Sequence, residues 1–255
     1  FKDFLWLLKE KGAKGALNTQ EAVKDADIVF TMLSKPEVVE TIMLDEGILY
    51  MKKSALWIDC STINPSFAQH SLTKATEAGI NYLEAPVAGT KPQAENAELV
   101  FFAGGDEKIK EQGAPYLNYM GNKIIHLGEV GKAASFKLVV NMMLATGMMA
   151  FAESLHFGES MGLDKNFLLN TIPNLAVSAP FTKMKAEVIK EGDYDPQFPL
   201  ELLYKDLHLA AQTAYENHQA LPYASAAKEL YALAMKEGLG REDMAAIYRF
   251  LEEKG

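Results

Sequence analysis

The chain has 255 residues, of which 49% are hydrophobic and 23% are charged, and its formal net charge is −9. This composition indicates a globular protein and excludes the disordered and fibrous classes. The acidic balance, without a basic cluster in the sequence, argues against a nucleic-acid partner, because phosphates require a basic face.

The cysteine and histidine content narrows the possible classes further. Cys60 is the single cysteine, so a disulfide framework and a zinc knuckle are excluded and a reducing compartment, the cytoplasm, is expected. The five histidines lack the spacing that places two metal ligands on one helix face, and we expect no metal. The longest apolar run, around 138–152, is shorter than the roughly 20 residues that span a bilayer, so no membrane partner is expected.

In chain order, the first half alternates between helical and strand patterns. An amphipathic helix is predicted over 1–14 with its end at Gly12, and a short capped helix follows from Thr19. The apolar run 27–33 predicts a strand buried on both faces. The alternation predicts a doubly wound parallel sheet of the Rossmann type. Further strands are predicted at 55–59, 81–84, 99–103 and 123–127, and further helices at 35–44, 65–78 and 106–119.

From Gly131 onward every periodic segment is helical, with helices predicted at 131–161, 164–171, 180–190, 200–217, 222–237 and 241–252. This change in composition predicts two domains, one over 1–130 that contains the sheet and an all-helical one over 131–255. The apolar helical segment 142–149 also predicts that the helical domain forms a homodimer or homotetramer.

The long helix from Gly131 contains two polar residues that stand out. Lys137 and Asn141 are four residues apart and therefore share one helix face in apolar surroundings. Loss of water would lower the pKa of such a lysine and equip it for proton transfer. The alternative is that Lys137 extends its amine to solvent and that Asn141 is a satisfied core amide. Spacing alone does not decide between the two.

Three segments follow predicted strands, at 32–36, 59–65 and 84–90. In open parallel sheets ligands bind at the carboxyl ends of the strands, so these segments are candidates for contact with a nucleotide or a small anion. Each also fits ordinary helix capping, because Ser, Thr and Pro are common where helices begin.

Taken together, the motifs resemble the β-hydroxyacid dehydrogenases and, among them, the glyoxylate and succinic semialdehyde reductase branch. The spacing GxxGxxxxxKxxxN around Lys137 is the most specific of these motifs, and the resemblance favours the catalytic interpretation of that lysine. The other motifs, in the order of the family, are DIVFTML (27–33), DCST (59–62), EAPVAGTKPQAENAELVFFAGGD (84–106), FPLELLYKDLHLA (198–210) and DMAAIYRF (243–250).

The resemblance implies an oxidoreductase that transfers a hydride between NAD or NADP and a small carbonyl or β-hydroxy acid. It implies that the domain over 1–130 is the dinucleotide-binding domain. It implies that Lys137 is the general acid and base and that Asn141 supports it, which fits the need to protonate a developing alkoxide. The remaining implied residues fall into a cofactor set and a substrate set. The cofactor set is Met32, Leu33, Ser34, Thr62 and Lys205, and the substrate set is Ala88, Gly89, Thr90, Phe198 and Asp206.

The chain departs from the family in two places. The family loop APVSG is APVAG here, so Ala88 removes one hydroxyl donor to the substrate carboxylate, and the backbone of Gly89 and Thr90 is the alternative source of donors. The family also opens with a strand and a G-x-G-x-x-G turn, and the sequence leads us to expect that this first βαβ unit is missing.

These departures leave a second class of function open, a cofactor-poor binding or assembly protein that has lost catalysis. The retained Lys137, Asn141, Lys205 and Asp206 oppose that interpretation, since a scaffold has no use for buried cations. Imine reduction is a further alternative, which Lys137 also opposes.

Overall fold

The structure, a computed structural model, describes residues 8–254. These residues pack into two compact units. The first unit contains the described residues up to Ala88 together with Ala97–Ala134, and the second contains Gly89–Asn96 and the described residues from Ser135. Residues 1–7 of the helix predicted over 1–14 lie outside the described residues. Residues 8–10 are helical, and Gly12 follows with a φ of +91°, as expected where a helix ends.

The first unit contains two three-stranded sheets. Strands β1 (Ile28–Thr31), β2 (Leu56–Asp59) and β3 (Asn81–Glu84) are parallel and in the order β1-β2-β3. In the second sheet β5 (Leu99–Ala103) lies between β4 (Val87–Ala88) and β6 (Gly121–His126), and pairs in parallel with β6. Residues Glu84 and Gly104 form an isolated bridge. The predicted α/β class with parallel strands, followed by helices, is confirmed.

The structure differs from the local predictions for this unit in three places. β1 is not buried on both faces, because Phe30 is 40% exposed and Ile28 and Val29 are only partly buried. The short β4 was not predicted, and it pairs antiparallel with β5. The helix predicted over 35–44 continues to Tyr50 and includes a π-helical segment, Glu40–Gly47. Met43 of the π-helical segment and Ile48 of the extension are buried in the core beside the sheet.

The other helices of the first half follow the predicted order, apart from one that the sequence did not predict, Lys91–Glu95. They are α1 (Thr19–Val23), α2 (Pro36–Val39), α3 (Ile48–Tyr50), α4 (Pro65–Glu77), α5 (Lys91–Glu95) and α6 (Glu107–Leu117). The Asn18 side chain caps α1 by accepting a hydrogen bond from the Glu21 N–H.

The second unit is helical and is built on α7 (Lys132–Ser160), a helix of 29 residues. By length and composition alone α7 could cross a membrane. The prediction that the apolar run is too short was therefore wrong, because the helix extends beyond the run at both ends. Ala145, Met148, Ala152 and Leu155 of α7 lie fully buried in the core of this unit, which accounts for the apolar character of the helix.

The remaining helices pack around α7 in the core of the unit. They are α8 (Lys165–Thr171), α9 (Phe181–Glu191), α10 (Leu200–Glu216), α11 (Pro222–Lys236) and α12 (Ala246–Lys254). The last helix was predicted to begin at 241 and instead begins at Ala246. The reason is Asp243, whose side chain accepts the Ala245 N–H and whose backbone pairs with Pro199, so the chain at this point is not helical.

Candidate active site

Lys137 is the first member of a buried hydrogen-bonded chain that joins α7 to α10. Its ammonium donates to the Asn141 Oδ1 at 2.9 Å, and the Asn141 amide donates to the Asp206 Oδ2 at 2.5 Å. Lys137 is 9% exposed, and Asn141 and Asp206 are more deeply buried. The predicted helical spacing therefore places Lys137 and Asn141 on one face of α7, and the interpretation of Lys137 as a lysine that reaches solvent was wrong.

Burial lowers the pKa of the Lys137 ammonium from 10.5 to about 8. The Asp206 carboxylate opposes this shift and the Lys205 ammonium adds to it. At neutral pH the group thus remains mostly protonated, yet it can lose its proton far more easily than an ordinary lysine. This is the property that a general acid and base requires.

Lys205 lies beside Asp206 on α10. Its ammonium is 2.8 Å from the Asp206 Oδ1, close enough for an ion pair, although the contact lacks hydrogen-bond geometry. The structure thus brings four of the predicted site residues into one cluster, with Asp206 between two lysines.

The predicted cofactor residues of the first unit lie at the carboxyl ends of β1 and β2. Met32 is 66% exposed, Ser34 is exposed, and Leu33 and Thr62 are partly buried. The Leu33 N–H donates to the Ser61 Oγ at 2.9 Å, so the two segments are joined. An exposed methionine side chain beside hydroxyl groups offers the apolar surface and the polar groups that a dinucleotide needs at this edge of a parallel sheet.

The sequence did not single out the residues that hold these two segments together. The Asp59 Oδ1 accepts the Thr31 hydroxyl at 2.8 Å and the Ser61 N–H at 3.0 Å, and the Trp57 indole donates to the Thr31 hydroxyl at 2.8 Å. Burial raises the pKa of Asp59 to about 6. An aspartate within the apolar run ALWID was the available signal.

The predicted substrate loop follows β4. Ala88 ends β4 and is partly buried, and Gly89 is exposed with a φ of +124° that favours glycine. The Thr90 N–H donates to the Gln93 Oε1 at 2.9 Å, and the Thr90 hydroxyl donates to the same oxygen at 3.0 Å. The Thr90 N–H is therefore engaged in the cap of α5, and Gly89 is the other backbone donor that the loop was expected to offer.

Phe198 packs against the core of the second unit just before α10. Its N–H and that of Gln197 donate to the Asp243 Oδ2 at 3.2 and 3.1 Å. Asp243 also forms a fully buried ion pair with Lys185, in which the ammonium lies 2.8 Å from both carboxylate oxygens. The sequence did not reveal this pair, which fixes the backbone that leads into α10.

Glu84, at the end of β3, caps the start of α7. Its carboxylate accepts the N–H groups of Gly131, Ala133 and Ala134 at 2.6, 2.9 and 3.3 Å. Burial raises the pKa of Glu84 to about 7, and the three backbone donors oppose that shift.

Within the described residues no cluster of three or more His, Cys, Asp or Glu could hold a metal ion.

Comparison with known proteins identifies the family. Residues 5–128 match the NAD binding domain of 6-phosphogluconate dehydrogenase, and residues 131–251 match the NAD-binding domain of NADP-dependent 3-hydroxyisobutyrate dehydrogenase. The chain is 35% identical to glyoxylate/succinic semialdehyde reductase 2, chloroplastic, of Arabidopsis thaliana, covering 94% of this chain and 68% of that protein. It is 32% identical to 2-(hydroxymethyl)glutarate dehydrogenase of Eubacterium barkeri, covering 95% and 82%.

A solved structure shows the same relationship. The 3-hydroxyisobutyrate dehydrogenase of Mycobacterium tuberculosis with L-serine superposes with a TM-score of 0.83 at 31% identity, covering 92% of this chain and 83% of that one. The chain therefore belongs to the β-hydroxyacid dehydrogenase family, and it is an enzyme that uses a nicotinamide cofactor to oxidise hydroxy acids or reduce their carbonyl counterparts.

Proposed function

We propose that this enzyme reduces small carbonyl acids, with glyoxylate and succinic semialdehyde as the first candidates, and that Lys137 is the proton donor. The observation that carries the proposal is the buried chain from Lys137 through Asn141 to Asp206. The names of the Arabidopsis thaliana and Eubacterium barkeri relatives support a small carboxylic-acid substrate.

The chemistry follows from the environment of Lys137. A bound reduced nicotinamide would supply the hydride, and its transfer to a carbonyl carbon would leave negative charge on the carbonyl oxygen. An ammonium whose pKa is about 8 stabilises that charge and then protonates it. Asn141 accepts a hydrogen bond from the ammonium and so fixes its position, while Asp206 holds the Asn141 amide in the orientation that this requires.

The other predicted residues have proposed roles in binding. Apolar and hydroxyl groups at the carboxyl ends of β1 and β2 suit the dinucleotide, and a lysine on α10 suits its negative charge. Phe198 and Asp206 would line the substrate pocket, together with the backbone at Gly89. The proposed cofactor residues are Met32, Leu33, Ser34, Thr62 and Lys205.

The test is the oxidation of NADH and NADPH, followed by absorbance, with glyoxylate, succinic semialdehyde and related acids. Lys137→Met keeps the aliphatic stem and removes the ammonium, and we expect kcat to fall by about 10²-fold or more. Lys132→Met, on the exposed first turn of the same helix, is the matched control and should retain activity. Full activity of the Lys137 variant would remove the proposed mechanism.

Ala88→Ser tests the substrate assignment separately. The hydroxyl would restore a hydrogen bond to a charged carboxylate, worth roughly 1.5 to 3 kcal/mol, or a tenfold or greater decrease in KM. The decrease should occur for carboxylate substrates and be absent for the corresponding uncharged aldehydes. An equal effect on both classes would show that position 88 does not face the carboxylate.

We also propose that the protein is a homo-oligomer that uses the helical unit. One side of α7 leaves large apolar side chains exposed along its length, a surface that isolated monomers rarely expose. These residues are Phe136, Val139, Met143 and Phe157, and Met161 follows directly after the helix. Light scattering coupled to size-exclusion chromatography measures the mass, and Met143→Glu should convert the assembly to smaller species. A monomeric wild-type mass would refute this proposal.

A further inference from the structure

A continuous hydrogen-bonded chain joins the ends of β1 and β2. The Trp57 indole donates to the Thr31 hydroxyl, which in turn donates to the Asp59 Oδ1. The same oxygen accepts the Ser61 N–H. The Ser61 hydroxyl then accepts the Leu33 N–H, which returns the chain to the segment after β1. The links are 2.8 to 3.0 Å long.

Two of the donors in this hydrogen-bonded chain are backbone N–H groups, so the chain positions the main chain after each strand. The Ser61 N–H is fixed one residue before Thr62, and the Leu33 N–H is fixed between Met32 and Ser34. The strand pairing extends only as far as the Cys60 N–H, which donates to the Thr31 carbonyl at 2.8 Å. Beyond that point the side chains of Asp59 and Ser61 take over the positioning of both segments.

We propose that Asp59 is a positioning residue of the cofactor site, and that it acts through Thr31 and Ser61 to hold the segments after β1 and β2 in the geometry that binds the dinucleotide. This inference rests on the proposed assignment of Met32, Leu33, Ser34 and Thr62 to the cofactor. Asp59 itself need not touch the cofactor, since it is 1% exposed.

The burial of Asp59 supports a positional role. Its Oδ2 is buried without a hydrogen-bond partner, and an unpaired buried carboxyl oxygen costs free energy. Tyr82 and Glu84 on β3 also face Asp59 closely enough for its charge to act on them. A carboxyl group in this setting does not stabilise the fold efficiently, but it does supply one acceptor that two donors from different segments can share.

The test uses isothermal titration of NADPH and of NADH into purified full-length protein. Thr31→Val removes the hydroxyl at constant volume, and we expect the Kd of the preferred cofactor to rise roughly tenfold while kcat at saturation changes less than twofold. Thr31→Ser restores the hydroxyl and should restore the affinity. Thr182→Val is the matched control, because it removes a hydroxyl of similar burial, bonded to the Ala179 carbonyl, in the other unit.

A purely structural role would give a different pattern. In that case Thr31→Val and Thr182→Val would lower the melting temperature while both retained wild-type Kd, and the proposal would be overturned. Ser61→Ala is the milder second variant if the Thr31 variant does not fold, and it should weaken binding by a similar factor because it leaves the Leu33 N–H without its acceptor.

Thr62→Val separates this inference from the cofactor assignment on which it rests. If Thr62→Val weakens cofactor binding while Thr31→Val and Ser61→Ala do not, the cofactor site stands and the positioning role of Asp59 is wrong. If all three variants bind normally, the assignment of these segments to the cofactor is itself wrong, and the inference falls with it.

Discussion

Replacing Asp206 by asparagine should lower the pH at which the enzyme loses its reductive activity. The substitution keeps the size of the side chain and an acceptor oxygen for the Asn141 amide, but it removes the carboxylate that raises the pKa of Lys137. The two groups are joined through the Asn141 amide by contacts of 2.9 and 2.5 Å. For a separation of roughly 7 Å and an effective dielectric constant of about 20, the lost attraction is about 2 kcal/mol, or between one and two pKa units.

The assay is the pH dependence of kcat/KM for NAD(P)H oxidation between pH 5.5 and 10. Reduction needs the protonated ammonium, so the wild-type rate should fall as the pH rises through about 8, and the rate of the reverse oxidation should rise there. In Asp206→Asn both midpoints should move to lower pH. Lys205→Ala should move them to higher pH, because the Lys205 ammonium lowers the pKa of Lys137. A midpoint that stays at its wild-type value in Asp206→Asn would refute this account of the site.

Three further predictions concern the carboxylates and the glycine around the site. The folded-state pKa of Glu84 is raised, so the folded protein holds this proton more tightly than the unfolded protein does. The free energy of unfolding should therefore fall by about 3 kcal/mol between pH 4.5 and 7. Glu84→Gln should flatten this pH dependence in urea titrations. Gly104→Ala would place a Cβ 2.1 Å from the Glu84 Oε1 and should destabilise the folded protein by about 2 kcal/mol or more in thermal melts. This is at least about twice the effect expected of Gly162→Ala, where only a positive φ opposes the change. Lys185→Met leaves the buried Asp243 carboxylate without its counter-ion and should cost about 3 to 5 kcal/mol in chemical denaturation. The added change Asp243→Asn removes the charge but keeps an acceptor oxygen for the backbone N–H groups that Asp243 holds, so it should recover part of that loss. Equal stability of the single and double variants would contradict the ion-pair explanation.

The regular parts of the fold were predictable because their patterns are local. The strands at 81–84 and 99–103 were predicted with the bounds that the structure shows, and the second of them, LVFFA, is a short apolar run followed by the turn residues Gly104 and Gly105. The two-residue β4 and the five-residue α5 are too short to carry a periodic pattern. The π-helical segment Glu40–Gly47 shares its apolar spacing with an α-helix closely enough that the sequence did not distinguish them.

In the candidate site, too, the sequence predicted the local contacts and missed those between residues that are distant in the chain. Lys137 and Asn141 were found because both lie on one helix, where spacing in sequence becomes proximity in space. Their link to Asp206 spans 65 residues, and the Glu84 contacts to the start of α7 span 47 to 50 residues. Such contacts depend on packing that the sequence pattern does not encode. The retrospective signal was the presence of acidic residues inside or at the ends of apolar runs, as at Asp59 and Glu84, because a buried carboxylate needs donors from elsewhere in the chain.

The buried Cys60 thiol makes this protein suited to measurements of its own opening reactions. Burial, and to a smaller extent the charge of nearby Asp59, raises the pKa of the thiol well above its usual range. The folded form should therefore react very slowly with alkylating reagents. Since the sequence contains one cysteine, labelling detected by mass spectrometry would report a single event, the exposure of the carboxyl end of β2. Comparison of the labelling rates with and without bound NADPH would then show how strongly the cofactor suppresses this local unfolding, and no engineered cysteine would be needed.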